Sequence, residues 1–165
     1  MELITRIQKK RETVLKQWFQ TVLDAFPPQA RMLIAKGTDR FSNPIGFTLS
    51  EGLEAVLDGL LDNSPPEAVE PALAQIIKLR AIQPDRKEDP LAFLYQLKPI
   101  LREICGARKR GFDQLGDLLD LEDALDAIIR QGQDIYVQSR EKILELQVNE
   151  MKNKTHMLRR LAGEV

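Results

Sequence analysis

Six carboxylates crowd one short stretch of the chain: Asp113, Asp117, Asp120, Glu122, Asp123 and Asp126, with no Lys or Arg between them. Asp113, Asp117 and Asp120 follow an i, i+4, i+7 spacing, which on a helix puts them on one face. Such a face could hold a divalent cation or dock a basic partner. A helical di-metal centre, however, draws on Glu-x-x-His pairs, and the chain has none. Acids near a helix start also suit the positive end of the helix dipole. A solvated acidic face is therefore expected, and no metal is assigned.

The basic residues fall into three clusters: Lys9, Lys10 and Arg11; Arg108, Lys109 and Arg110; and Lys152, Lys154, Arg159 and Arg160. The last has no acid between positions 151 and 160. It could dock an acidic partner. No aromatic residue interleaves with it for base stacking, which argues against nucleic acid. His156 sits among these cations. It is read as a surface residue. Cys105 lies beside Gly106 and near Arg102 and Arg108, where positive charge could raise its thiolate fraction, but a packed structural cysteine is the expectation.

With one His and one Cys, an internal disulfide, a multi-cysteine metal site and a two-histidine site are all excluded. Phosphate-cradling GxxxxGK[ST] and GxGxxG strings are absent. No cluster pairs a nucleophile with a base, so no enzyme and no cofactor are expected. Lys plus Arg number 24 against 25 Asp plus Glu, a net charge of −1, which disfavours general polyanion binding. No apolar run approaches the roughly 18 residues of a membrane span. MELITRIQKKRE lacks the apolar core of a signal peptide. A cytoplasmic protein is expected, with neither nucleic-acid binding nor membrane insertion.

The elements that would position these residues read as six helices and no strand, in a single domain over 1–165. Apolar residues recur at helical spacing from Leu3 to Ala25 and stop at Pro27-Pro28. A short helix spans about 29–35. After the irregular stretch GTDRFSNPIGF, Thr48-x-x-Glu51 predicts a capping box opening the next helix, and Ser64-x-x-Glu67 a second. Asp89-Pro90 predicts the start of a helix that Pro99 should kink and Gly106 should end. The last helix is predicted from about Phe112 to Leu161. Its final part, 140–165, is expected to project like one strand of a coiled coil. There Leu144, Val148, Met151, Thr155, Leu158 and Ala162 step by 4, 3, 4, 3, 4, the rhythm of a coiled-coil seam. The stripe predicts a homodimer, with further contacts near Leu3, Ile4 and Ile7, or docking of a protein partner on the C-terminal helix.

Two further features bear on packing. Gly52, Ala55 and Gly59 form a small-residue ridge suited to a close helix crossing inside the domain, with a dimer face as the alternative. Trp18, Phe41, Phe47 and Phe93 are expected to line a small apolar pocket or packed core, because they flank the loop at 37–47 and the helices it joins.

Four strings add a resemblance. WFQTVLDAFP, DRFSNPIGFTLSEGLEAVLDGLL, IIKLRAIQ and DIYVQSREKILELQVNEMKNK resemble the N-terminal domain of RsbR/RsbRD-type proteins, the RsbT co-antagonists of bacterial stressosomes. The likeness runs from about Leu15 to Lys154 and is strongest from Asp39 to Leu61. It implies a globin-like helical bundle with a long C-terminal helix that binds no haem. Consistently, no histidine lies at 67–81 or 48–62 to ligate haem iron. It also implies dimerisation and a terminal helix that relays a signal, in the full-length pattern to a phosphorylatable STAS domain. The resulting expectation is a non-enzymatic regulatory or sensory module acting through dimerisation and protein–protein contacts. The alternative is an accessory subunit that docks on a larger protein complex without a sensing role.

Overall fold

The computed structural model describes residues 2–36, 39–81, 89–107, 109 and 113–163. They form seven helices and no strand: α1 (Glu2–Lys9), α2 (Arg11–Asp24), α3 (Pro28–Ala35), α4 (Pro44–Leu61), α5 (Pro66–Ala81), α6 (Ala92–Cys105) and α7 (Leu115–Leu161). The stretch QPDRKE at 83–88, together with Arg108, Arg110 and Phe112, lies outside the described residues.

The first segment is two helices, not one. The backbone departs from helical geometry at Lys10 (φ −112°, ψ 17°). The break lets α1 pack on α6 while Arg11, the first residue of α2, reaches α4. Arg11 Nε and Nη2 donate to the two carboxylate oxygens of Asp58 at 2.7 and 2.8 Å, and Nη2 also reaches Glu54 at 3.2 Å. Polar contacts at a distance of over forty residues leave no trace in local periodicity, so the seven-helix count could not be read there.

The start of α4 also differs from expectation. The helix begins at Pro44, so Thr48 lies inside it and caps nothing. Asn43 is the cap: its Oδ1 accepts from the Gly46 N–H at 3.0 Å, and Pro44 occupies the first turn, where no N–H is needed. The Asn43 Nδ2 donates to the Ile34 carbonyl at 2.6 Å, tying the end of α3 to the start of α4. α5 begins two residues after Ser64. Asp89 Oδ1 accepts from the Leu91 N–H at 2.9 Å, ahead of α6. α6 runs unbroken through Pro99 and ends at Gly106 (φ 74°), where Ala107 N bonds Arg102 O and Gly106 N bonds Glu103 O. That reciprocal pair satisfies the last carbonyls of the helix and requires a residue comfortable at positive φ.

One continuous core joins all seven helices. α5 sits between α4 and α7, with Leu73, Ile76 and Ile77 fully buried. Gly52 and Gly59 allow the α4–α5 crossing: a Cβ on Gly52 would stand 2.8 Å from Ile76 Cδ1, and one on Gly59 would collide with Val69 Cγ1. The ridge therefore serves the interior of the body, as expected, although Ala55 is exposed and takes no part.

Candidate protein-interaction helix

The 47 residues of α7 extend about 70 Å at 1.5 Å per residue. Its first half is bound into the body. Leu118, Leu121, Leu125, Ile128 and Ile129 are buried against α5 and its neighbours. Gly132, which weakens the helix pattern locally, is a contact point: a Cβ there would meet Leu91 Cδ2 and Leu94 Cδ1 at 3.3 Å.

The acidic run acquires a structural meaning here. Arg102 on α6 grips Glu122 on α7 through two hydrogen bonds, Nε to Oε1 at 2.6 Å and Nη2 to Oε2 at 2.7 Å. One turn along, Lys98 Nζ lies 2.7 Å from Asp126 Oδ1. Glu122 is the buried acid of the run, and Arg102 holds its carboxyl below the usual carboxylate range, against the opposing effect of burial. Spacing within the acidic run alone does not reveal this pairing. Its signal in the sequence is the i, i+4 spacing of Lys98 and Arg102, matched by that of Glu122 and Asp126. Asp117 and Asp120 instead border a groove of about 230 Å³ with Ile4, Leu60 and Leu121. Among the described residues, no group of three His, Cys, Asp or Glu side chains is placed to hold a metal ion.

The second half of α7 is different. From Leu144 to Gly163 every side chain is exposed. Leu144 is 51%, Met151 62% and Leu158 66% exposed, and Val148, Thr155 and Ala162 share the exposed stripe. Val137, exposed and seven residues before Leu144, extends the stripe towards the body. Thr155 donates its hydroxyl to the Met151 carbonyl at 2.9 Å within the helix, so its methyl group is left for the stripe. Lys154 pairs with Glu150 at 2.9 Å, one turn earlier. Lys152, Arg159, Arg160 and His156 are all exposed around this segment.

Other expected site residues are dispersed. Trp18 and Phe93 are buried and stacked, ring centroids 6.4 Å apart, and Trp18 Nε1 donates to the Phe93 carbonyl at 2.7 Å. Phe41 is 93% exposed, and Phe47 is half-buried with the Arg40 guanidinium 6.0 Å from its ring centre. The four aromatics thus do not line one enclosed pocket. Phe41 precedes the Asn43 cap and so stands outside the part of α4 that is buried. Leu3 and Ile7 are fully buried in the chain's own core and offer nothing to a second copy; Ile4 is partly exposed. Cys105 is buried, and loss of solvent pushes its thiol up despite the opposing charges of Arg6 and Lys10. That environment disfavours a reactive thiolate.

No helix among the described residues is long and apolar enough to cross a membrane. A family model described as the RsbT co-antagonist protein rsbRD N-terminal domain matches residues 12–151. The match covers most of the chain, and the chain belongs to that family. It ends within the exposed part of α7. No curated protein and no solved structure matches the chain.

Proposed function

We propose that the chain is a non-enzymatic regulatory module that pairs with a second copy through the bare stripe of α7 and relays the state of its helical body along that helix to a protein partner. One observation carries the reading. A single helix is locked into the body at Leu118–Gly132 and leaves Leu144, Val148, Met151 and Leu158 in water at its other end. Burying such a stripe stabilises association by about 25 cal/mol per Å² of apolar surface removed from water. Family membership supports a regulatory role, and the dispersal of the aromatics takes support away from a small-molecule pocket as the signal input.

The test replaces Val148, Met151 and Leu158 together with glutamate. Sedimentation should shift from dimer to monomer while helical circular dichroism persists. A dimer that withstands the triple substitution would place the interface elsewhere. Haem is not part of this reading, and haemin should give no saturable one-to-one complex with a ligated Soret band. The accessory-subunit reading draws on the basic end of α7, Lys152, Lys154, Arg159 and Arg160. A constitutive complex in which neither the dimer nor α7 changes would favour it.

A further inference from the structure

A second exposed apolar face lies away from the stripe of α7. α3 and the start of α4 meet at a corner, where the Ile34 carbonyl accepts from Asn43 Nδ2 at 2.6 Å. Met32 (67%), Leu33 (65%), Phe41 (93%) and Ile45 (41%) are all exposed there. α3 gives Ile34 to the core and leaves its two large apolar neighbours in water. Exposed apolar residues grouped in this way mark interaction surfaces, whereas single ones do not.

The exposure of Phe41 is built into the turn that carries it. Asp39 Oδ2 accepts from the backbone N–H and the hydroxyl of Ser42, at 2.9 and 2.7 Å. The Asp39 carbonyl accepts from the Asn43 N–H at 2.8 Å, and the Asn43 cap then starts α4. A turn closed by its own hydrogen bonds holds the phenyl ring out before any partner arrives, which lowers the ordering cost of binding.

Charge at the corner is one-sided. Its acids are engaged: Asp39 with Ser42, and Asp24 with Arg31 and Gln20. Lys36 and Arg40 are exposed. Neither has an ion pair among the described residues, and the Arg40 guanidinium lies over the Phe47 ring. Two cations beside four apolar side chains fit a surface that is apolar at its centre and anionic at its rim.

An acidic protein and an anionic bilayer both answer that description. Bilayer attraction of this kind takes clusters of about four to eight Lys or Arg, and only Lys36 and Arg40 are uncommitted here. Aromatic, Met and Arg side chains are instead the types enriched in protein interfaces, and aromatic and Arg anchors carry most of the binding energy there. Phe41, Met32 and Arg40 are of those types. A side chain as bare as Phe41 is a knob and not the wall of a groove, so the partner supplies the pocket.

We infer that the α3–α4 corner docks a second protein, whose apolar pocket takes Phe41 and whose carboxylate rim pairs with Lys36 and Arg40. This contact is separate from the pairing of α7 and stands without it. The first turn of α4 is tied to Ile34 through Asn43, while Leu60 near its far end borders a groove with Asp117 and Leu121 of α7. From Pro44 to Leu60 the helix rises about 24 Å. A partner on the corner therefore leaves the root of α7 uncovered.

The experiment places p-benzoylphenylalanine at position 41 of the full chain, in the cells that make it. After irradiation, mass spectrometry identifies the attached protein and the peptide that carries the attachment. The expected product is one protein, joined beside Asp or Glu residues. That protein, purified, should bind the unsubstituted chain, and binding should fall about tenfold or more with Phe41→Ala. It should fall likewise with Lys36→Glu and Arg40→Glu together, and with added salt. Exchanging the acids of the docked protein for lysine should restore binding of that charge-reversed variant. All three positions are exposed, so circular dichroism and Tm should not move. Glutamate at Val148, Met151 and Leu158 should leave the attachment unchanged, which keeps this outcome apart from that of the dimer. Attachment only to second copies of this chain, or to no protein, would overturn the inference. So would a partner whose affinity ignores the substitutions. Binding to vesicles of phosphatidylcholine and phosphatidylserine in equal parts, lost with Phe41→Ala, would overturn it in favour of a bilayer.

Discussion

Arg102 on α6 holds both carboxylate oxygens of Glu122 on α7, at 2.6 and 2.7 Å. The contact lies where the long helix is rooted, and Lys98 with Asp126 repeats it one turn on. Glu122 is nearly buried, so removing its partner would strand a charge away from water, whereas Arg102 is about half exposed.

The pH dependence follows from the direction of the shift. Arg102 lowers the folded pKa of Glu122 below its unfolded value, which is about 4.3. The stabilisation is therefore complete above that value and is lost as pH falls through the folded pKa. Glu122→Gln should lower Tm at pH 7, and the gap to the unsubstituted protein should narrow as the pH is taken to about 3, below the unfolded value. A gap that is constant across this range would show that the carboxylate charge contributes nothing.

Trp18 supplies a second test. Its indole N–H donates to the Phe93 carbonyl at 2.7 Å inside the core. Trp18→Phe keeps an aromatic ring but removes the donor and leaves that hydrogen bond unmade. A loss of about 1–3 kcal/mol is expected from the broken bond, with more from the volume removed. Urea unfolding measures it, and an unchanged midpoint would mean that neither the bond nor the lost volume carries net stability.

The regular parts of the fold are legible in the sequence because they are local. Apolar spacing marks α4 to α7, and the 4, 3, 4, 3, 4 steps by themselves mark the exposed stripe. What escapes such patterns depends on distant partners or on competition between caps. Thr48-x-x-Glu51 satisfies the capping pattern, yet Asn43 wins because Pro44 can begin the helix and Asn43 also finds the Ile34 carbonyl. Flanking the loop at 37–47 assigns Phe41 to a pocket, but its position before the cap leaves it outside the packed face. The acidic run reads as a solvated face, and for Asp120 and Asp123 it is. Glu122 and Asp126 differ because α6 brings two cations across, a pairing spanning 20 to 28 residues.

The α4–α5 crossing yields a ranking. Alanine in place of glycine within a helix is worth roughly 1 kcal/mol in propensity, while overfilling a packed contact costs about 1–3 kcal/mol. At Gly52 the added methyl meets Ile76 at both Cδ1 and Cγ1, 2.8 Å away, and the second torsion of Ile76 frees only the Cδ1 part of that contact, whereas at Gly59 the contact is closer still. At Gly59 it meets Cγ1 of Val69, whose branched side chain is stiff at χ1. Gly59→Ala should therefore lower Tm more than Gly52→Ala. The reverse order in thermal unfolding would contradict this account of the crossing.

Asn43 performs two tasks that substitutions can separate. Its oxygen caps α4 through the Gly46 N–H, and its amide nitrogen binds the Ile34 carbonyl at the end of α3. Asn43→Asp keeps a good cap, and its charge suits a helix start. It also turns a donor into a carboxylate oxygen facing a carbonyl, so the link to α3 becomes repulsive. Asn43→Ala loses both contacts without adding repulsion, and loss of the cap costs about 0.5–2 kcal/mol. Both variants should be less stable than the unsubstituted protein. Lowering the pH should restore Asn43→Asp in part, because a protonated carboxyl can again donate to Ile34, whereas Asn43→Ala should gain nothing specific from acid. Tm measured for both variants from about pH 7 down to about pH 4, near the ordinary aspartate pKa, checks this. Full stability of Asn43→Asp at neutral pH would show that the cap alone matters and that the α3 link does not.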